Sequence, residues 1–168
     1  MIRRATIDDA NAIGTVHMTT WRTAYVGLMP QHILDNLSIE RSQERWRNRL
    51  IAGHDLIFVA EADSTVVGFI HGGVERTGKY PPYTSEITCL YLLQAYQRRG
   101  LGRQLVATIA HDFAPQHSGL LLWMLQGNPA QRFYEAIGGT VVAQQTTEIY
   151  GELLAEIGYG WTDWALLR

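Results

Sequence analysis

Residues 97–103 read Gln-Arg-Arg-Gly-Leu-Gly-Arg, three arginines and two glycines directly before a helix-like run. Leu101, Leu105 and Ile109 recur every four residues, so the spacing predicts a helix from about residue 100 with one apolar face. The first four amides of such a helix have no intrahelical partner. Those amides, the helix dipole and the missing side chains at Gly100 and Gly102 together suit a multiply charged anion. Arg98, Arg99 and Arg103 add guanidinium groups matched to phosphate oxygens. Two familiar phosphate loops do not fit, because the Lys-Ser/Thr ending of a P-loop and the third glycine of the dinucleotide fingerprint are both absent. By itself the pattern is equally compatible with a tight strand-to-helix turn beside solvated arginines.

Other residues are chemically equipped. In "NPAQRFYEAIGG", Asn128 followed by Pro129 predicts a helix start, with an N-cap side chain and then proline in the first turn. Phe133, Tyr134 and Ile137 share one face of that helix, which leaves Tyr134 readable as core or as a working phenol. Glu86 opens the run "EITCLYLL", where alternation places it with Thr88, Leu90 and Leu92 and puts Cys89 on the opposite face. Glu86 is therefore a working carboxylate or a solvated strand-end charge, and Cys89 a buried thiol rather than a nucleophile. The six histidines show no metal-ligand spacing, so no metal is assigned. His71, mid-strand, reads as a satisfied sheet residue. Trp21 and Tyr25 lie four apart at the end of the first helix, Tyr80 and Tyr83 sit in a proline-rich loop, and Trp123 lies in a strand. Trp21, Tyr25, Tyr83 and Trp123 either line a slot for a small molecule or pack the core.

The elements that must position these groups follow from composition and pattern. A chain of 168 residues fits one domain, residues 1–168, with a sizeable core. With 46% apolar residues, 18% charged residues and a net charge of −2, no face is basic throughout, which argues against nucleic acid as a partner. The single cysteine suits a reducing compartment, the N-terminal residues lack a signal-like apolar stretch, and the longest apolar run, "LLLWML", is too short to cross a bilayer. These features predict a soluble cytoplasmic protein with no membrane partner. Strand signals at residues 2–5, "DLIFVAEA", "VVGFIHGGVE", "EITCLYLL", "LLLWML", "TVVAQQTTEI" and "EIGYGWTDWALL" alternate with helical runs. That order predicts an α/β or α+β domain with a mixed sheet. Trp161 and Trp164, in the last strand-like run, serve either as internal packing or as the edge of a homodimer.

"LYLLQAYQRRGLG" resembles the pyrophosphate-binding motif of the GNAT acetyltransferases, with Gln97, Arg98, Arg99, Gly100, Leu101 and Gly102 filling its positions. "NPAQRFYEAIGG" is similar to a second segment of that family, and "IRRATIDDA" to its first strand and helix. The resemblance spans nearly the whole chain. It implies a mostly antiparallel central sheet of about seven strands, flanked by helices, whose fourth and fifth strands splay apart. It also implies acetyl-CoA as co-substrate. Pantetheine would lie in the gap on backbone groups of Leu90 and Leu92, with the diphosphate on the amides from Arg98 to Arg103. Asn128 would bond the pantetheine arm, Tyr134 would face the departing sulfur and Glu86 would act as base, ordered water being the alternative. The Leu90 amide could polarise the acetyl carbonyl. The activity implied is direct acetyl transfer to a primary amine, that of a small molecule or of a protein amino terminus or lysine. A non-catalytic acyl-CoA sensor is the reading from another class.

Overall fold

The computed structural model describes residues 1–168. Charge fixes its N-terminus. Arg3, on strand β1 (Ile2–Arg4), donates to both oxygens of Asp9 at 2.8 Å and to Glu61 at 2.9 Å. Asp9 in turn accepts from the Thr6 amide at 2.8 Å, closing a capping box around a 3-10 turn that leads into α1 (Ala10–Ala24). α2 (Gln31–Asp35) and α3 (Ile39–Ala52) follow, the latter capped by Ser38, whose hydroxyl accepts from the Arg41 amide at 3.1 Å.

The remaining elements are β2 (Leu56–Ala62), β3 (Thr65–Val74), β4 (Ser85–Leu92), α4 (Leu101–Phe113), β5 (Leu120–Leu125), α5 (Gln131–Ala136), β6 (Thr140–Ile149) and β7 (Glu152–Trp161). Seven strands form one sheet in the order β1-β2-β3-β4-β5-β7-β6, and only β4 and β5 run parallel. The expected splay is present. β4 and β5 pair only from Ser85–Leu120 to Ile87–Leu122, so the rest of both strands face each other unpaired.

Helices cover both faces. Leu105, Ile109 and Phe113 of α4 pack on Ile87, Leu120 and Leu122, while Ile13 and Val16 of α1 join Trp46 of α3 against Val59 and Phe69. Truncating a fully buried residue such as Ile109 to alanine costs about 2–5 kcal/mol, and that burial anchors the loop before α4. No helix is long and apolar enough to cross a membrane.

Two expectations are corrected, and the choice between two readings of Trp161 is decided. α5 begins at Gln131, not Asn128, because Asn128 turns the chain first: its Oδ1 accepts from the Ala130 amide at 2.9 Å. The last strand ends at Trp161, and residues 164–167 form a 3-10 turn capped by Asp163. β7 lies inside the sheet, so β6 is the free edge, and Trp161 is core, its indole donating to the Ile137 carbonyl at 3.0 Å.

Candidate active site

The loop before α4 presents the unpaired amides that its sequence predicts. None of the amides of residues 98–103 donates within the chain, and the first helical bond runs from Gln104 to the Gly100 carbonyl at 3.1 Å. Gly100 has φ 81° and Arg98 φ 59°, left-handed backbone of the kind that gathers amides into an anion-binding concavity. Leu101, Gly102 and Arg103 form the first turn of α4, and Arg103 also reaches the Ala136 carbonyl at 3.3 Å, tying α4 to α5. The Arg99 guanidinium lies over the Tyr96 ring, 5.3 Å from its centroid. Gln97 donates to the Leu92 carbonyl at 3.0 Å, joining the loop to the end of β4.

That loop opens into the splay. A cleft of about 120 Å³ there is lined by Leu90, Leu92, Gln97, Trp123, Asn128 and Tyr134, and also by Tyr25, which caps the end of α1. Residues far apart in sequence are thus brought to one place. Tyr134 is 6% exposed, and burial, then the neighbouring Tyr25 and Cys89, hold its phenol far above its ordinary pKa, with no hydrogen bond to offset them.

A β-bulge changes the reading of β4. His71 on β3 pairs with Cys89 and Gly72 pairs with Ile87, so Thr88 is an extra residue. Past the bulge the alternation is reset. Ile87, Leu90 and Leu92 pack towards α4, whereas Cys89 and Tyr91 pack towards α1 and α3. Glu86, beside Ile87, therefore shares its face with Cys89 and not with Leu90 and Leu92, which corrects the alternation argument. Nor is it a solvated strand end. Glu86 is 1% exposed, and Arg76 engages both its oxygens, Nη2 to Oε1 at 2.6 Å and Nε to Oε2 at 3.0 Å. Burial pushes the Cys89 thiol up to about 11, which keeps it protonated and inert.

The aromatic candidates divide. Trp123 lies over Gly158, where a Cβ would come within 3.0 Å of its ring, and Tyr80 packs edge-on against it at 5.1 Å. Tyr83 instead covers Gly160 and Gly119, and neither it nor Tyr80 lines the cleft. Tyr25 hydrogen-bonds Tyr91 through their hydroxyls at 3.1 Å, and Trp21 stands edge-on to Tyr25 at 5.0 Å, beside the cleft rather than on its wall.

The sequence offers little sign of the groups around this wall. His17 stacks on Tyr91 at 5.1 Å and accepts from the Trp46 indole at 3.0 Å through Nδ1. Burial, with help from Arg45, pushes its pKa down to about 3, so it is neutral. His17 Nε2, Thr20 Oγ1 and Trp21 Nε1 are the buried side-chain polar atoms without a partner, and all three come from α1. On β7, Glu156 accepts from Gln145 at 2.9 Å, and burial raises its pKa. Helical spacing of His17, Thr20 and Trp21 was the available signal; Thr88, Arg76 and Glu156 had none.

Comparison with known proteins agrees with this geometry. The family model described as acetyltransferase (GNAT) family matches residues 18–139. The N-acetyltransferase YuaI of Bacillus subtilis is 35% identical over 170 residues, covering 99% of this chain and 95% of YuaI. The N-alpha-acetyltransferase RimI of Mycobacterium tuberculosis is 29% identical over 93 residues, 55% of this chain and 57% of RimI. Among solved structures, the PaiA N-acetyltransferase of Thermoplasma acidophilum, in complex with coenzyme A, superposes with a TM-score of 0.73 at 21% identity, covering 93% of this chain and 96% of that one. YncA of Salmonella typhimurium, with its cofactor acetyl-CoA, gives 0.71 at 22% identity over 96% of this chain and 92% of YncA. At these identities the structural likeness establishes the fold.

Proposed function

Because the chain belongs to the GNAT acetyltransferase family, we propose that it moves the acetyl group of acetyl-CoA to a primary amine by direct attack within a ternary complex. One observation carries this reading: six consecutive unpaired amides, residues 98–103, lead straight into the gap between β4 and β5 that Tyr134 closes. The CoA diphosphate takes the amides, with Arg98, Arg99 and Arg103 beside them. Pantetheine fills the gap as the missing strand pairing, on backbone groups of Leu90 and Leu92 and the Asn128 side chain. The coenzyme A and acetyl-CoA complexes of PaiA and YncA support this assignment.

In the reaction the amine nitrogen attacks the acetyl carbon, the C–S bond breaks, and sulfur leaves with the electron pair. The Leu90 amide polarises the carbonyl. A thiol loses its proton near pH 8.5 and a phenol near about 10, and burial raises Tyr134 further. Full proton transfer to sulfur is therefore uphill, and Tyr134 stabilises the departing thiolate by donating a hydrogen bond. Glu86, with both oxygens on Arg76, fixes that guanidinium beside the acceptor end of the cleft and does not itself take the amine's proton.

The acceptor is a small-molecule amine. Tyr25, Tyr91 and Trp123 make a narrow aromatic slot, and the unpartnered Thr20 hydroxyl on its wall offers it a neutral hydrogen bond. The partial likeness to RimI favours a second reading, a peptide amino terminus. Thiol release from acetyl-CoA across a panel of small amines and peptides separates them. Release with a small amine is the expected result. Release with peptides alone supports the second reading, and CoA binding without release to any acceptor replaces the enzyme with a sensor.

A further inference from the structure

Thr88, the bulged residue, lines the cleft, and its hydroxyl begins a chain of polar groups that the transfer described above leaves unused. That hydroxyl is hydrogen-bonded to Nδ1 of His71, a ring only 2% exposed. On the other side of the ring, Nε2 stands 3.0 Å from Asp55 Oδ2 and 2.9 Å from Arg49 Nη1. Asp55 keeps 32% of its side chain in solvent. The groups thus run from the cleft, through a buried imidazole, to the surface. Gly73 makes room for this arrangement, since a Cβ there would lie 3.0 Å from Asp55 Oδ1. Trp46 closes over the ring edge-on at 5.4 Å.

Either tautomer of His71 finds partners. With the proton on Nε2, the ring faces the Asp55 carboxylate while Nδ1 accepts from Thr88. With the proton on Nδ1, the ring donates to Thr88 while Nε2 accepts from Arg49. The groups facing the ring are Asp55 before β2, Arg49 and Trp46 on α3, Thr88 and Cys89 on β4, and Arg76 after β3. Burial, above all, lowers the ring's pKa, and Arg49 adds to this against the opposing pull of Asp55. A neutral imidazole satisfied in both tautomers meets the requirement for handing a proton on. Glu86, the other carboxylate on this face of β4, has no free oxygen to receive one.

We propose that Thr88, His71 and Asp55 form the exit path for the proton released in acetyl transfer, an assignment that rests on the acyltransferase reading above. As the C–N bond forms and the C–S bond breaks, the nitrogen becomes more acidic and gives a proton to Thr88 Oγ1. Thr88 passes its own proton to His71 Nδ1, His71 passes the Nε2 proton to Asp55, and Asp55 returns it to water. The thiolate keeps the electron pair of the broken bond. The ring is left as the tautomer that Arg49 satisfies, and exchange with solvent resets it. Thr88 is the catalytic residue of this path; His71 and Asp55 act through it.

Two measurements test the path on the full chain with acetyl-CoA bound. In nitrogen NMR of labelled histidine, with His71→Gln providing the assignment, His71 is expected to stay neutral between about pH 7 and 9, with Nδ1 unprotonated in at least part of the population. A ring protonated at Nδ1 throughout, as imidazolium or as a single tautomer, overturns the proposal. In thiol release, with n-butylamine and methoxyamine as probe acceptors, Thr88→Val is expected to lower kcat for n-butylamine by about 100-fold and to spare the less basic methoxyamine. KM for acetyl-CoA stays unchanged, Thr88→Ser restores most of the loss, and Asp55→Asn shifts the alkaline dependence of kcat. Wild-type kcat in Thr88→Val refutes the path alone. Silence of the wild-type protein towards every amine refutes the acyltransferase reading and the path's role with it.

Discussion

Glu86→Gln separates a carboxylate that holds Arg76 from one that takes a proton. Glutamine keeps the shape and one acceptor oxygen, so of the two contacts at 2.6 and 3.0 Å one becomes a neutral-acceptor bond and the other is lost. A hydrogen bond to a charged group contributes about 1.5–3 kcal/mol. Breaking a fully buried ion pair costs about 3–5 kcal/mol, but only because it strands the surviving charge. Arg76 is 67% exposed against 2% for Glu86, so its guanidinium turns to water, and the buried carboxylate's desolvation cost disappears with the carboxylate. The net loss is then about 1–2 kcal/mol, which for a domain of this size lowers Tm by roughly 2–8 °C. Turnover should fall by less than about tenfold, whereas removing a general base costs about 10²- to 10⁴-fold. Calorimetric melting and steady-state thiol release at saturating acetyl-CoA read the two effects on one preparation. A loss of kcat beyond about 100-fold with Tm unchanged would restore Glu86 as the base and refute the positioning argument.

Three further outcomes follow from the same geometry. Tyr134→Phe should leave CoA affinity by calorimetric titration near the wild-type value while lowering kcat by about tenfold or more, because only the hydroxyl meets the sulfur. Gly100→Asp should weaken acetyl-CoA binding by at least about 100-fold: φ 81° suits glycine, and the new carboxylate repels the diphosphate. His17 is held at about 3 in the folded chain against 6.5 when unfolded, so between those values the unfolded chain binds a proton that the folded one refuses. Stability is therefore full above pH 6.5 and falls on acidification, by at most about 1.4 kcal/mol per pH unit from this group, and denaturant melts of His17→Gln should show a shallower acid slope.

Much of this was legible in the sequence because local rules and tertiary structure agree there. The glycines and arginines of residues 97–103 mark a loop of free amides in either description, and Thr6 with Asp9 caps the entry to α1. The bulge at Thr88 was not legible. Strict alternation carries no mark of an extra residue, and that one insertion moves Glu86 from the face of Leu90 and Leu92 to the face of Cys89 and Tyr91. Tyr80 and Tyr83 were interchangeable on paper because packing against Gly160 and Trp123, not loop composition, sorts them. His71 did prove to be a satisfied sheet residue, but its partners lie 16 to 22 positions away, beyond any local pattern. Arg76 and Glu156 escape notice for the same reason: each matters only through a strand neighbour set by sheet order.

The measurement closest to the central claim is a crystal structure of this chain with acetyl-CoA. The account predicts diphosphate oxygens at about 3 Å from amides among residues 98–103, pantetheine between β4 and β5, and the thioester sulfur within reach of the Tyr134 hydroxyl. A nucleotide bound elsewhere, with those amides facing only water, would contradict it.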